Sequence, residues 1–98
     1  MSDAYGFVIT PAALKRLKRH RHAELAFVRA FEGLLLQPEA GAELKGKLAG
    51  FRALKIHVKG SGEYRALYRI DEPRRTIVVH WVGTRENFYE EAERHLFG

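Results

Sequence analysis

Alternating apolar and polar side chains mark the second half of the chain, a period of two that is typical of β-strands. In residues 51–59, apolar side chains alternate with the basic ones of Lys55, His57 and Lys59, so one strand face is apolar and the other is basic. Residues 76–82 are apolar almost throughout. Such a run predicts a buried central strand.

A further strand is predicted over residues 64–70, where Arg65 and Arg69 fall on one face and mostly aromatic or apolar side chains fall on the other. Turns are indicated on both sides of it, at the glycine-rich residues 60–62 and at the proline-containing residues 71–75. Because these connections are short, the three strands are expected to be antiparallel neighbours.

The first half of the chain predicts a strand and two helices. Residues 5–10 are β-branched and aromatic, as in a short strand. Thr10-Pro11 is typical of a helix start, because threonine caps free amides and proline suits the first helical position. After a turn at residues 20–22, apolar residues recur every three to four positions and predict a second helix that ends before Pro38. Its predicted buried stripe consists of Leu25, Val28, Phe31, Leu34 and Leu35.

These elements together predict an α+β fold, in which a strand and two helices precede a three- to four-stranded antiparallel sheet and a short C-terminal helix. Gly83-Thr84 is expected to end the last strand, and the C-terminal helix is expected over Glu86–Leu96. The helix pair is expected to cover one sheet face, because no other segment is apolar enough to do so. The opposite, basic face would then stay open.

Length and composition restrict the class of protein. Ninety-eight residues suit one domain spanning 1–98, and a chain that is 46% hydrophobic and 30% charged is typical of globular proteins. The absence of cysteine excludes disulfides and thiolate chemistry. No apolar run reaches the roughly 18–20 residues that span a bilayer, and the first residues lack the basic and apolar regions of a secretory signal. We therefore expect a cytoplasmic location and no membrane partner.

Positive charge is concentrated in the middle of the chain. Residues 51–85 carry eight lysines and arginines against three acids, whereas residues 86–98 carry one against four. The whole chain has 17 lysines and arginines against 12 acids, a formal net charge of +5. A polyanion would therefore be attracted to the middle of the chain and repelled from its C-terminal end.

The basic face admits two interpretations. Cross-strand cations would lie about 5–8 Å apart, and they would either splay into solvent or bind a phosphate, with arginine as a bidentate donor and lysine as a point charge. Glu63 is expected in the preceding turn, where it neutralises one charge at most. His57 stands between two lysines, and an ordinary imidazole pKa of about 6.5 suits proton exchange at neutral pH.

Known cofactor and metal motifs are absent from the sequence. His20 and His22 are two residues apart, so on a helix they point in different directions, and the other histidines have no partner at ligand spacing. No glycine-rich phosphate loop or nucleophile elbow is present. No metal and no cofactor are therefore expected.

Four segments stand in a recognisable order along the chain. They are Leu44-Lys45-Gly46, Lys55-Ile56-His57-Val58, Gly62-Glu63-Tyr64-Arg65-Ala66-Leu67-Tyr68 and Val82-Gly83-Thr84-Arg85-Glu86-Asn87-Phe88-Tyr89. Together they resemble the RelE/ParE toxin superfamily, and the resemblance extends over nearly the whole chain. It implies a RelE-like fold and the toxin of a type II toxin–antitoxin pair.

The RelE side of this superfamily enters the ribosomal A site and cuts messenger RNA without a metal. Basic residues on the open sheet face and a tyrosine near the C-terminus do this work in the relatives. The matching catalytic positions here are Lys55, His57, Arg65, Arg85 and Tyr89, with Lys59 and Arg69 as RNA-binding residues. The chain departs from some relatives by having His57 in place of a lysine and a shorter segment before Tyr89, so His57 and Tyr89 both stay candidates for the general base.

Two alternatives to the nuclease remain from the sequence. Members on the ParE side inhibit DNA gyrase and are not nucleases, and a basic RNA-binding domain without chemistry is a third interpretation. The resemblance also implies a cognate antitoxin, and the basic helix Lys15–Arg21 and the basic sheet face would both suit acidic segments of it. Ribosome and mRNA are the other expected partners, with DNA reached only through the antitoxin.

Overall fold

The computed structural model describes residues 5–98. The first four residues, on which part of the prediction about a secretory signal rests, lie outside the described residues. Within residues 5–98, no helix combines the length and the hydropathy that crossing a bilayer requires.

A five-stranded mixed sheet forms the centre of the fold, with the spatial order β1-β5-β4-β3-β2. Its strands are β1 (Gly6–Ile9), β2 (Ala42–Glu43), β3 (Arg52–Val58), β4 (Gly62–Asp71) and β5 (Thr76–Thr84). The predicted α+β fold is confirmed, but the sheet has five strands rather than three to four. Two pairings explain the difference: β1 lies parallel to β5, and the two-residue β2 pairs with the start of β3.

Three helices accompany the sheet, namely α1 (Pro11–Arg19), α2 (Glu24–Leu36) and α3 (Phe88–Phe97). The predicted start of α1 is confirmed, because the Ala13 N–H donates to Thr10 Oγ1 at 3.2 Å and Pro11 takes the first helical position. A short 3₁₀ turn over Arg21–Ala23 joins α1 to α2.

The main core lies between the first two helices and one face of the sheet. It is built from Phe27, Phe31 and Leu34 of α2 and from alternate residues of β3, β4 and β5. The predicted stripe of α2 is wrong at two positions, since Leu25 is 61% exposed and Val28 is 45% exposed. The helix is rotated so that Phe27 and Phe31 point inward with their rings 6.0 Å apart, and an aromatic ring buries more apolar area than leucine or valine does.

The second sheet face is partly covered, which corrects the prediction that it stays open. A second cluster of buried residues consists of Leu48, Leu67, Phe88 and Ala92. Phe88 and Ala92 are four residues apart on α3, so they lie on one side of that helix and pack together onto the sheet. Only the part of this face that lies beyond the cluster remains exposed.

The end of β5 also differs from the prediction. Gly83 does not break the strand, because it pairs with Arg65 and the ladder continues to Thr84. A side chain at position 83 would place its Cβ 3.2 Å from Arg16 Nη2, so the glycine leaves room for a neighbouring arginine. The extension brings the chain alongside the start of β4, where Thr84 pairs with Tyr64, before α3 begins.

Candidate functional site

The predicted basic residues of β3 and β4 lie on the second sheet face, beyond the buried cluster. Lys55 is the cross-strand partner of Arg65, and His57 is the partner of Glu63 one pair further along. Directly opposed residues in an antiparallel pair bring their Cβ atoms to about 5 Å. Lys55 and His57 are exposed, whereas Arg65 and Glu63 are half-buried.

The Arg65 side chain is held between Glu63 and Tyr89. Its Nε donates to Glu63 Oε2 at 2.9 Å, and its Nη1 donates to the Tyr89 hydroxyl at 3.0 Å. The guanidinium carbon also lies 5.3 Å from the centre of the Tyr89 ring, within the range of a cation–π contact. Arg65 therefore links β4 to the first turn of α3 and brings Tyr89 to the basic face.

Arg85 reaches the same region from the connection between β5 and α3, which spans residues 85–87. Its backbone N–H donates to the Glu63 carbonyl at 3.1 Å, which fixes the main chain beside β4. Its side chain is exposed and forms no hydrogen bond or ion pair with any part of residues 5–98. Asn87 then takes a left-handed conformation, with φ of 57°, at the start of α3. The Arg85 guanidinium is thus anchored by its backbone while its charge stays available to a ligand.

Glu63 was expected in a turn, but the structure places it in β4, where it accepts a hydrogen bond from Arg65. The pKa of its carboxyl is lowered, first by the hydrogen bond from Arg65 and also by the charges of Lys55 and Arg85. The pKa of Arg65 is raised in turn, with the Glu63 bond as its largest cause. Three cations therefore surround one carboxylate, which leaves an excess of positive charge for an anionic ligand. The alternation through Arg65 would have placed Glu63 on this face if the predicted strand had begun one residue earlier.

A surface depression lies at the start of β4 and the end of β5, next to these groups. Its lining residues are Ser61, Gly62, Glu63, Thr84, Arg85 and Glu86. The depression is open to solvent and has Arg85 at its wall, so a phosphate-sized group in it could reach the Arg85 guanidinium.

The structure separates one predicted RNA-binding residue from this site. Arg69 lies four residues beyond Arg65 on β4, about 13 Å away at the usual rise, and the buried Leu67 lies between them. Its Nε donates to His80 Nε2 at 3.2 Å. Lys59 is exposed in the turn that follows β3, close in sequence to His57. The five predicted catalytic residues therefore share one end of the face, whereas Arg69 lies beyond the cluster.

His80 occupies a bulge in β5, where the pairing shifts between Leu67 and Tyr68. Burial lowers the pKa of this imidazole, and the charge of Arg69 lowers it further. The neutral ring can therefore accept the hydrogen bond from Arg69. Within residues 5–98, no group of three or more histidines or acids is arranged to hold a metal ion.

Comparison with protein families gives one match over most of the chain. A family model described as the ParE-like toxin of type II bacterial toxin–antitoxin systems matches residues 8–93. A search of curated protein sequences gives no match.

Solved structures give further similarities. A chain of the RelBE2 toxin–antitoxin complex from Mycobacterium tuberculosis is 33% identical, with 84% of this chain and 99% of that chain covered and a TM-score of 0.63. A chain of the intact Escherichia coli RelBE complex is 26% identical, covers 85% of this chain and 99% of its own, and has a TM-score of 0.64. A mutant of the Escherichia coli toxin RelE in the free state is 23% identical over 96% of this chain and 99% of its own, with a TM-score of 0.67, and shows that the fold is shared.

Proposed function

Because the chain belongs to the ParE-like toxin family of type II bacterial toxin–antitoxin systems, we propose that it is a RelE-type toxin that cleaves messenger RNA on the ribosome. The observation that supports this most directly is the position of Arg65. It bonds both Glu63 and Tyr89 and pairs across the sheet with Lys55. A phosphate bound there would lie beside cations and two groups able to transfer protons.

The cations would stabilise the phosphate during reaction. When the ribose 2′-oxygen attacks phosphorus, negative charge builds up on the non-bridging oxygens, and preorganised donors lower the energy of that state. Arg65 and Arg85 supply these donors, and Lys55 adds a third charge. Little free energy is needed to orient the Arg65 guanidinium during the reaction, because Glu63 and Tyr89 already fix its position.

Two proton transfers accompany the cleavage. The 2′-hydroxyl loses its proton to a base, the bond from phosphorus to the 5′-oxygen breaks, and that oxygen gains a proton from an acid. The products are a 2′,3′-cyclic phosphate and a free 5′-hydroxyl. We assign the two roles to His57 and Tyr89, since Tyr89 bonds Arg65 and His57 is the cross-strand partner of Glu63, which also bonds Arg65. A toxin with this substrate would act in the cytoplasm.

The proposed partner is a cognate antitoxin, as in the toxin–antitoxin complexes among the similar structures. A groove between α1 and α2 offers it an apolar floor that includes Leu14, Leu17 and Val28. Lys18 and Arg21 line the same groove. An amphipathic helix with acidic residues along its edges would match both the apolar floor and the basic rim. Association with DNA would follow only through that antitoxin.

A second candidate function follows from the ParE-like description of the family model. In that case the toxin would bind and inhibit DNA gyrase and cut no RNA. Its toxicity would then tolerate changes at the five proposed catalytic residues. It would be lost instead through residues on the surface of α1 such as Arg19, which is exposed, whereas Arg16 of the same helix is half-buried.

The test is primer extension on messenger RNA from cells that express the protein. We expect new 5′ ends within codons for the parent chain, and loss of these ends for the double variant His57→Ala, Tyr89→Phe. One positioned proton-transfer group is worth about 10²–10⁴-fold in rate, so either single variant should also be strongly impaired. Tyr5→Phe is the matched control, because it removes a hydroxyl that bonds Glu72 at 2.6 Å on the surface.

The outcomes separate the candidates. Cleavage by the double variant at the parent rate would refute the catalytic assignment. Intact message in cells that nevertheless stop growing would refute the nuclease and favour the gyrase inhibitor. A protein that binds RNA with a steep salt dependence but never shortens it would be a binding domain without chemistry.

A further inference from the structure

Arg16 of α1 contacts three residues on two other elements, β5 and α3. Its Nε donates to the Val82 carbonyl at 3.1 Å, and its Nη2 lies 3.4 Å from Glu91 Oε1 on α3. Its guanidinium carbon lies 4.7 Å from the centre of the Trp81 ring. The sequence placed Arg16 on a basic helix surface, but in the structure it is half-buried and connects α1 to β5 and α3.

The hydrogen bond to Val82 follows from the shape of the sheet. β1 pairs with β5 only as far as Val79, so the second half of β5 has no strand partner on that edge. Backbone carbonyls on such an edge need another donor. α1 continues from β1 and runs beside this edge, and Arg16 supplies the donor. Gly83 makes this possible, since a Cβ there would lie 3.2 Å from Arg16 Nη2.

The contact with Glu91 ties α3 from the side opposite to Tyr89. Successive helical residues are rotated by about 100°, so Tyr89 and Glu91 point to nearly opposite sides of α3. Phe88 and Ala92 pack onto the sheet between them. Tyr89 bonds Arg65 on one side and Glu91 bonds Arg16 on the other, so α3 is fixed across its width and cannot roll without losing one of the two contacts.

We propose that Arg16 is a positioning residue that holds Tyr89 in place by fixing the rotation of α3. The proposal rests on the proposed nuclease function for its kinetic consequence. An exposed ion pair alone would contribute little. The Arg16 guanidinium, however, also carries a backbone hydrogen bond and an aromatic contact, and all three depend on its planar, forked shape. Lysine at this position is a compact point charge without that fork, so it could not hold all three contacts in the same geometry.

The kinetic experiment measures single-turnover cleavage of ribosome-bound message by four proteins: the parent, Arg16→Gln, Tyr89→Phe and the double variant. We expect Arg16→Gln to slow cleavage by about 10–100-fold, in line with the loss that a displacement of about 1 Å can cause, while ribosome affinity is unchanged. In the Tyr89→Phe background, Arg16→Gln should have no further effect, because the group it positions is already absent. Arg16→Lys should recover only a small part of the rate.

Arg29→Gln is the matched control, since Arg29 is an exposed helical arginine outside every proposed site. It should cleave at the parent rate. Equal slowing by Arg16→Gln in both backgrounds would mean that Arg16 only stabilises the fold and would overturn the proposal. Parent-rate cleavage by Arg16→Gln would overturn it as well.

A spectroscopic arm keeps the proposal testable if the parent cleaves no RNA, an outcome that would refute the nuclease alone. Trp81 is the single tryptophan of the chain, so its fluorescence reports loss of the Arg16 contact. The Arg65 Nε–H and Tyr89 ring resonances in NMR spectra report the distant contact. We expect all three signals to change in Arg16→Gln and none in Arg29→Gln. Unchanged Tyr89 and Arg65 resonances, alongside a changed Trp81 signal, would overturn the positioning role. Circular dichroism checks that each variant is folded, and Arg16→Lys provides a milder change if Arg16→Gln is not.

Discussion

Replacing Leu67 by alanine tests whether α3 is firmly packed on the second sheet face. Leu67 is 0% exposed and belongs to the cluster that contains Phe88 and Ala92 of α3. The substitution removes three carbon atoms, which at about 0.8 kcal/mol each corresponds to about 2.4 kcal/mol of transfer free energy. The cavity left behind adds to this loss, and buried leucine-to-alanine changes cost about 2–5 kcal/mol in total. We expect the free energy of unfolding to fall by about 3–4 kcal/mol.

Urea denaturation followed by circular dichroism measures this loss. With a slope of about 2 kcal/mol per molar urea for a chain of this size, the midpoint should fall by about 1.5–2 M. Leu36→Ala is the matched control, because Leu36 is 85% exposed and its truncation should change stability by less than about 0.5 kcal/mol. Equal, small losses for the two variants would show that α3 does not cover Leu67 in solution, and the account of the second face would be wrong.

Three further substitutions test separate features of the structure. Gly41→Ala should lower the free energy of unfolding by about 1–3 kcal/mol, measured by urea denaturation. The reason is that the new Cβ would lie 2.7 Å from ring and hydroxyl atoms of Tyr68. An unchanged urea midpoint would contradict this close approach. His80 has a pKa below its ordinary 6.5, so the unfolded chain takes up a proton before the folded one and stability falls as the pH drops below 6.5. Urea titrations at pH 7.5 and 5.5 should show a smaller pH effect for His80→Gln, and an equal effect would mean that the neutral ring beside Arg69 is unimportant. Thr10→Ala should lower the free energy of unfolding by about 1 kcal/mol, measured by thermal unfolding, because the helix cap is lost. An unchanged free energy would mean that Thr10 does not stabilise the start of α1.

Strands β3 and β4 were predictable because their signal is local. In β3 and β4 the alternation of apolar and polar side chains has a period of two, which only a strand can match. The register that brings Lys55 opposite Arg65 then follows from the tight turn between the strands. For the same reason, the sequence placed the two cations on one face correctly.

The covering of the second face was not predictable in the same way. α3 is short, and its apolar positions Phe88 and Ala92 are interrupted by glutamates, so the periodic signal is weak. Which face α3 packs against depends on the length of β5, and Gly83 was mistaken for a strand end. The rotation of α2 was missed for a related reason, because the choice between Val28 and Phe27 depends on what the sheet presents to the helix.

The position of Leu67 explains why the hydrogen bonds of Arg65 can be strong in so small a protein. On one face of β4, the successive side chains are those of Glu63, Arg65 and Leu67, so a half-buried arginine and a fully buried leucine are neighbours on the same surface. A step of two residues is about 7 Å. The cluster around Leu67 therefore excludes water from one side of Arg65, and hydrogen bonds in such surroundings are stronger than in bulk water. Its other side remains open to a polyanion. Because the same cluster seats α3, which carries Tyr89, a loss of packing at Leu67 should weaken the bond between Arg65 and Tyr89 even in a variant that stays folded.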